Sequence, residues 1–157
     1  IVNMDTTQIT KEMRCNGFLP NRFITLPAVP YARLEDVREC YLHTLRVLQR
    51  RVYGRYCKTK IKHLGVCETG HYNEDNAHIH ALILFDTDKL PLAEWMLEIR
   101  DIWMNTRIGS GFRLHTELQY AEEKWFKEVW YLQGAVDYCY KNADGDGDNY
   151  LPCGLEY

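Results

Sequence analysis

The sequence predicts an α+β domain built on a central, mainly antiparallel sheet of about five strands flanked by helices. Short runs rich in β-branched and aromatic residues alternate with longer stretches whose apolar residues recur at helical spacing. Their order reads strand, helix, strand, strand, helix, strand, helix. With 157 residues, of which 46% are hydrophobic, the chain is long enough to bury one core of its own.

The first strand is RFITLP at 22–27, closed by Pro27 and Pro30. A helix over 34–53 follows, because Leu34, Val37, Tyr41, Leu45 and Leu48 fall on one face. KIKHLGVCE at 60–68 and HIHALILF at 78–85 read as two strands joined by a polar turn, TGHYNEDNA, which suits a hairpin. Pro91 suits a first helical turn, so the second helix is expected over 92–105. FRLHTELQ at 112–119 reads as a further strand. A last helix is expected over 124–141, ended by the acidic run DGDGDN at 144–149.

Composition narrows the function. No stretch approaches the eighteen or so apolar residues that a spanning helix needs, and IVNMDTTQIT has no basic patch leading into an apolar run, so neither a membrane span nor a secretory signal is expected. The chain does not begin with Met, which suits a piece of a longer protein. Six cysteines without a C-x-x-C pair argue against a zinc ribbon and read as reduced thiols. Net charge is −3, but the distribution is uneven: Arg46, Arg50, Arg51, Arg55, Lys58, Lys60 and Lys62 crowd one window without an intervening acid. Such a run is most often a solvated helix face; beside a nucleic-acid site it becomes a track for a phosphate backbone.

Three groups of residues carry chemistry. His78 and His80 stand two apart on a strand, so both imidazoles emerge on one face and can share a metal while Ile79 points into the apolar side. An H-x-H pair arises by chance in roughly one of four or five chains with this many histidines, so it decides nothing alone. Glu68 ends the preceding strand, and the hairpin can bring its carboxylate beside the two rings; Glu74 and Asp75 in the turn are rival third ligands. Two His and one carboxylate suit Mg²⁺ or Mn²⁺ with open positions for phosphate oxygens, and also a hydrolytic zinc ion. Tyr138 and Lys141 are three apart and share a helix face, whereas Tyr140 points away from it. A phenol, with a pKa of about 10, becomes a useful nucleophile only when its target is made electrophilic. With eleven tyrosines in the chain, core packing is the default role for any one of them. Asp144, Asp146 and Asp148 imitate the start of a calcium loop, but Asn149 and Leu155 stand where Gly and Glu are required.

In this order FITLP (23–27), HIHALI (78–83) and YCYK (138–141) resemble the three motifs of the histidine–hydrophobe–histidine (HUH) replication initiators of small circular viruses, phages and plasmids. The resemblance runs from about 23 to 147, and its specificity lies in the conjunction of short motifs. It implies a single origin-nicking domain over 1–157, the N-terminal part of a longer initiator. His78 and His80 would bind the divalent cation, Mg²⁺ or Mn²⁺, with Glu68 completing the site. Tyr138 would attack a phosphodiester of single-stranded or hairpin origin DNA, leaving a 5′-phosphotyrosine and a free 3′-OH that primes rolling-circle synthesis. Lys141 would orient or neutralise the phosphate, and residues 23–27 would be a structural strand beneath the site. Position 142 is Asn, so no second tyrosine follows at a one-turn spacing and the chain resembles the single-tyrosine type. A fused or recruited helicase is the implied partner. The implied location is the cytoplasm of a prokaryotic host, or the nucleus if the replicon is a eukaryotic virus.

The rivals are a single-tyrosine HUH transposase, a non-catalytic nucleic-acid-binding module and a small zinc hydrolase. The predicted sheet is RRM- or ferredoxin-like in layout, but it lacks an evident aromatic RNP pattern. No H-E-x-x-H signature supports the hydrolase. Trp125, Trp130 and Tyr131 are candidate stacking residues for a single strand, although core packing is the commoner role for most such side chains.

Overall fold

The computed structural model describes residues 5–69, 77–110, 113–141 and 150–156, the last three without their side chains. Along the chain run α1 (Thr6–Cys15), β1 (Arg22–Pro27), α2 (Leu34–Tyr53), β2 (Lys62–Glu68), β3 (His78–Leu84), α3 (Leu92–Met104), α4 (Leu118–Lys124), β4 (Phe126–Glu128), α5 (Leu132–Cys139) and β5 (Tyr150–Glu156). The strands form one sheet in the order β4-β1-β3-β2-β5, with every neighbouring pair antiparallel. The α+β class and the five-stranded antiparallel sheet are those the sequence predicts.

Strand β3 lies at the centre of the sheet, and its composition fits that place. Ile79, Ala81 and Ile83 point to one face and His80 and Leu82 to the other, and all five are buried. The first face packs with Ile24, Leu26 and Cys67 beneath α2 and α3, whose Val37, Tyr41, Leu48, Trp95, Ile99 and Trp103 complete the larger core. On the opposite face, Leu64, Val66 and Leu82 meet Met13 and Phe18 from the α1 region and Val136 and Cys139 of α5. Two layers of helix thus cover one sheet, a stable arrangement because each face is apolar over most of its area.

Helix α2 forms where its five apolar positions predict, with Glu35 and Asp36 in its first turn and Arg50 and Arg51 in its last, matching the charge of each helix end. It stops at Gly54, whose φ of +86° a side chain would resist. Gly65 has a different reason. A Cβ there would lie 3.0 Å from the Tyr41 ring, so its absence lets Tyr41 lie on the sheet and hydrogen-bond His63 Nδ1 at 3.0 Å. No helix among the described residues is long and apolar enough to cross a membrane. All six cysteines are free, with the Cys67 and Cys153 sulfurs 3.0 Å apart in the core.

Three elements differ from expectation. Residues 113–117 form no strand, and the chain enters helix α4 at Leu118 instead. The single helix expected over 124–141 is broken into the end of α4, strand β4 and helix α5. Trp125, Val129, Leu132 and Val136 follow helical spacing, but the same segment, WFKEVWY, is rich in residues that favour strands. Tertiary pairing decides between them: Ile24 of β1 takes Phe126 as its cross-strand partner. Helix α1 and strand β5 were not expected at all. The first is signalled by Asp5, whose side chain accepts from Gln8 N at 3.1 Å as an N-cap. The second adds an edge strand beside β2.

Candidate active site

The hairpin register brings the three candidate ligands together. Glu68 of β2 pairs with His78 of β3, and Val66 pairs with His80. Glu68, His78 and His80 therefore project from the same face, the one covered by α1 and α5. Glu68 Oε1 lies 3.1 Å from His78 Nε2 and 3.2 Å from His80 Nε2, and the two Nε2 atoms are 3.1 Å apart. Glu68 and His80 are buried and His78 is partly so. Among the described residues this is the group of His, Cys, Asp or Glu side chains that could hold a metal ion. Edges of this length fit neighbouring ligands of a small divalent ion with bonds of about 2.1 Å. Glu74 and Asp75, the rival ligands, lie outside the described residues.

Strand β1 supplies a contact that the sequence did not reveal. Thr25 pairs with His80 across β1 and β3, and its Oγ1 lies 3.0 Å from His80 Nδ1. A ligating Nε2 must be unprotonated, so in that form Nδ1 carries the hydrogen and donates it to Thr25. The Phe23 ring, two residues earlier on the same face, packs 5.3 Å from the His80 ring. The FITLP strand thus does more than lie beneath the site: two of its side chains contact the ring of a candidate ligand, His80. Alternation along the strand puts Phe23 and Thr25 on one face, but only the register with β3 shows which histidine they meet. A substitution isolates this contact. Thr25→Val is expected to weaken divalent-cation binding about 10- to 100-fold while Thr25→Ser retains it, as read by titration calorimetry with Mn²⁺. Equal affinity in the Val and Ser variants would refute the orienting role.

Burial holds His80 below the ordinary imidazole value, opposed by Glu68 and reinforced by the charges of His78 and Lys141. The neutral form, the one that can ligate, is therefore favoured. The folded protein binds this proton more weakly than the unfolded chain, so the resulting stability is present above about pH 6.5 and is lost as pH falls through the folded value. Without added metal, the melting temperature should fall as pH drops below about 6.5, and fall less in His80→Asn. An equal drop in both proteins would count against it.

Helix α5 carries the remaining parts. Val136 and Cys139 anchor it on the sheet, leaving Tyr138 47% exposed beside the triad. The Tyr138 ring stands 5.3 Å from the His80 ring and 5.6 Å, edge-on, from Phe23. Lys141 Nζ lies 3.7 Å from the centre of the Tyr138 ring and 3.9 Å from Glu68 Oε1, so one ammonium touches both the phenol and the carboxylate. Tyr140 faces elsewhere, packing near Tyr150, and burial pushes its phenol well above the usual range. Tyr150 is directly across from Glu68 on β5 and also has its phenol raised by burial. It walls the carboxylate from the side, a role that was not visible in the sequence.

No family model, curated protein or solved structure matches the chain.

The basic window is not brought to this site. Arg46, Arg50 and Arg51 sit on α2, which covers the opposite face of the sheet. Arg55, Lys58 and Lys60 lie in the exposed connection between α2 and β2. Arg51 is paired with Glu98 and Asp101 of α3 at 3.2 and 2.8 Å. Lys62 shares the site's face, but it is six residues along β2 from Glu68, about 20 Å away. Its Nζ donates to Asn16 O at 3.3 Å. Charge density along the sequence therefore does not mark a groove beside the triad. Of the three stacking candidates, Trp125 is buried in the larger core, whereas Trp130 and Tyr131 are exposed.

Proposed function

We propose that this chain is a metal-dependent tyrosine endonuclease that nicks and rejoins single-stranded DNA, acting as the origin-nicking domain of an HUH-type rolling-circle initiator. The observation that carries this reading is the position of Tyr138, half-exposed at 5.3 Å from a ring of the Glu68–His78–His80 triad. A tyrosine packed only for stability has no need of a desolvated carboxylate and two imidazoles beside it.

A divalent cation held by Glu68, His78 and His80, with Mg²⁺ or Mn²⁺ the ion of choice, would supply positive charge to a phosphate lying against the triad. The side chains of the protein do the rest. Thr25 and Phe23 hold His80 in its ligating orientation. Lys141 adds a positive charge next to the Tyr138 ring, where a phosphate must approach. The Tyr138 phenolic oxygen attacks phosphorus and its proton leaves to solvent. The bond from phosphorus to the 3′ oxygen breaks, and that oxygen takes up a proton to become a free 3′-OH. The DNA's 5′ phosphate is left as an ester on Tyr138. Because the ester conserves the energy of the broken bond, the reverse reaction joins strands without ATP.

The test uses a randomised single-stranded DNA library with Mn²⁺. A covalent protein–DNA adduct should persist on a denaturing gel, disappear with EDTA, and yield the recognition sequence when its DNA is read. Absence of any adduct across the library would remove the endonuclease reading.

A further inference from the structure

We propose that Trp130 and Tyr131 form a base-stacking platform that grips the unpaired DNA strand beside the nicking centre. The inference rests on reading the chain as an enzyme of single-stranded DNA, and it identifies a subsite which that reading leaves unassigned.

The four tryptophans divide sharply. Trp95, Trp103 and Trp125 are 0%, 0% and 3% exposed, whereas Trp130 is 90% exposed and its neighbour Tyr131 is 68% exposed. Both exposed rings lie in the short connection from β4 to α5, so they are attached to the helix that carries Tyr138. Tyr131 is the N-cap residue of α5 and its ring lies against Gly134, where a Cβ would come within 2.9 Å of Tyr131 Cδ1. Gly134 thus makes room for a ring seated on the helix before any ligand arrives, which reduces the ordering cost of binding.

Distance and charge point to the same occupant. Tyr131 and Tyr138 are seven residues apart on the helix, about 10 Å at 1.5 Å per residue. That is roughly three nucleotides at the 3.4 Å rise of stacked bases, so one strand can place a phosphate at Tyr138 and bases at the exposed rings. Edge strand β4 adds a cation. Lys127 pairs with Phe23, so its side chain emerges on the site's face, while Glu128 pairs with Arg22 and emerges on the other. Phe23 itself packs against both His80 and Tyr138. Two exposed aromatic rings with a lysine on the neighbouring strand offer what an unpaired strand requires: π-faces for its bases and positive charge for its backbone. A duplex, whose bases are already stacked, cannot use the rings.

The buried state of the other three indoles makes the test selective, because solvent-exposed tryptophan emission comes from Trp130. In the Tyr138→Phe protein, which cannot react, a mixed-sequence single-stranded oligonucleotide at low salt should quench that emission, and the matching duplex should not. Trp130→Ala on this background should weaken binding about five- to a hundredfold, measured by fluorescence anisotropy, while Trp130→Phe stays close to the parent. Strand binding that is unchanged in Trp130→Ala and causes no quenching would overturn the platform but leave the nicking reading standing. Equal quenching by the duplex would also overturn the platform. If Tyr138→Phe binds no single strand at all, both readings fail together.

Discussion

Tyr138→Phe is expected to abolish the covalent adduct, lowering its formation by more than about a thousandfold, while single-strand affinity stays within about twofold. The substitution removes one oxygen and leaves the ring. Packing against Phe23 and His80 and the cation–π contact with Lys141 are all made by the ring, so the fold has no reason to change. Tyr140→Phe is the matched control. Its phenol is turned towards Tyr150 and held protonated by burial, so its loss should leave the adduct intact. Mass spectrometry of the adduct after nuclease digestion should locate the nucleotide on Tyr138. An adduct that survives in Tyr138→Phe and vanishes in Tyr140→Phe would reverse the assignment.

The next largest effect belongs to Glu68→Gln, which should reduce divalent-cation affinity by more than about a hundredfold. Outer-shell partners of metal ligands alone are worth about 10- to 100-fold, and Glu68 is placed to ligate directly. Its carboxylate is almost fully desolvated and provides a negative charge that an imidazole ligand cannot. Gln preserves the shape, so the triad loses charge without leaving a cavity. The readout is thermal. A ligand at a hundred times its dissociation constant stabilises a fold by about 2.7 kcal/mol, which for a domain of this size raises the melting temperature by roughly 5–10 °C. Mn²⁺ should produce that rise in the parent protein and no more than about 1–2 °C at the same concentration in Glu68→Gln. An undiminished rise would mean that the ion is held elsewhere.

Much of the site was legible because the relevant geometry is local. A period of two puts His78 and His80 on one face of any strand, and a period of 3.6 puts Tyr138 and Lys141 on one face of any helix while turning Tyr140 away. The turn between 60–68 and 78–85 made a hairpin the simplest reading, so Glu68 could be named as a neighbour. The same local signals fixed helix α2 and the central strand, where apolar positions are unambiguous.

The remainder depended on contacts between distant parts of the chain. Only the β1–β3 register, joining residues 55 apart, puts Thr25 on His80. Residues 124–131 satisfy a helical and a strand pattern equally, and pairing of Phe126 with Ile24 selects the strand. The side of the sheet on which a helix lands is set by which apolar face it can cover. That choice brings α5, with Tyr138, onto the triad and sends α2, with most of the basic run, to the other side. By itself the sequence determined which side chains share a face. Tertiary structure decided which faces meet, because that depends on burying apolar surface across the whole domain and not on the spacing of residues within one segment.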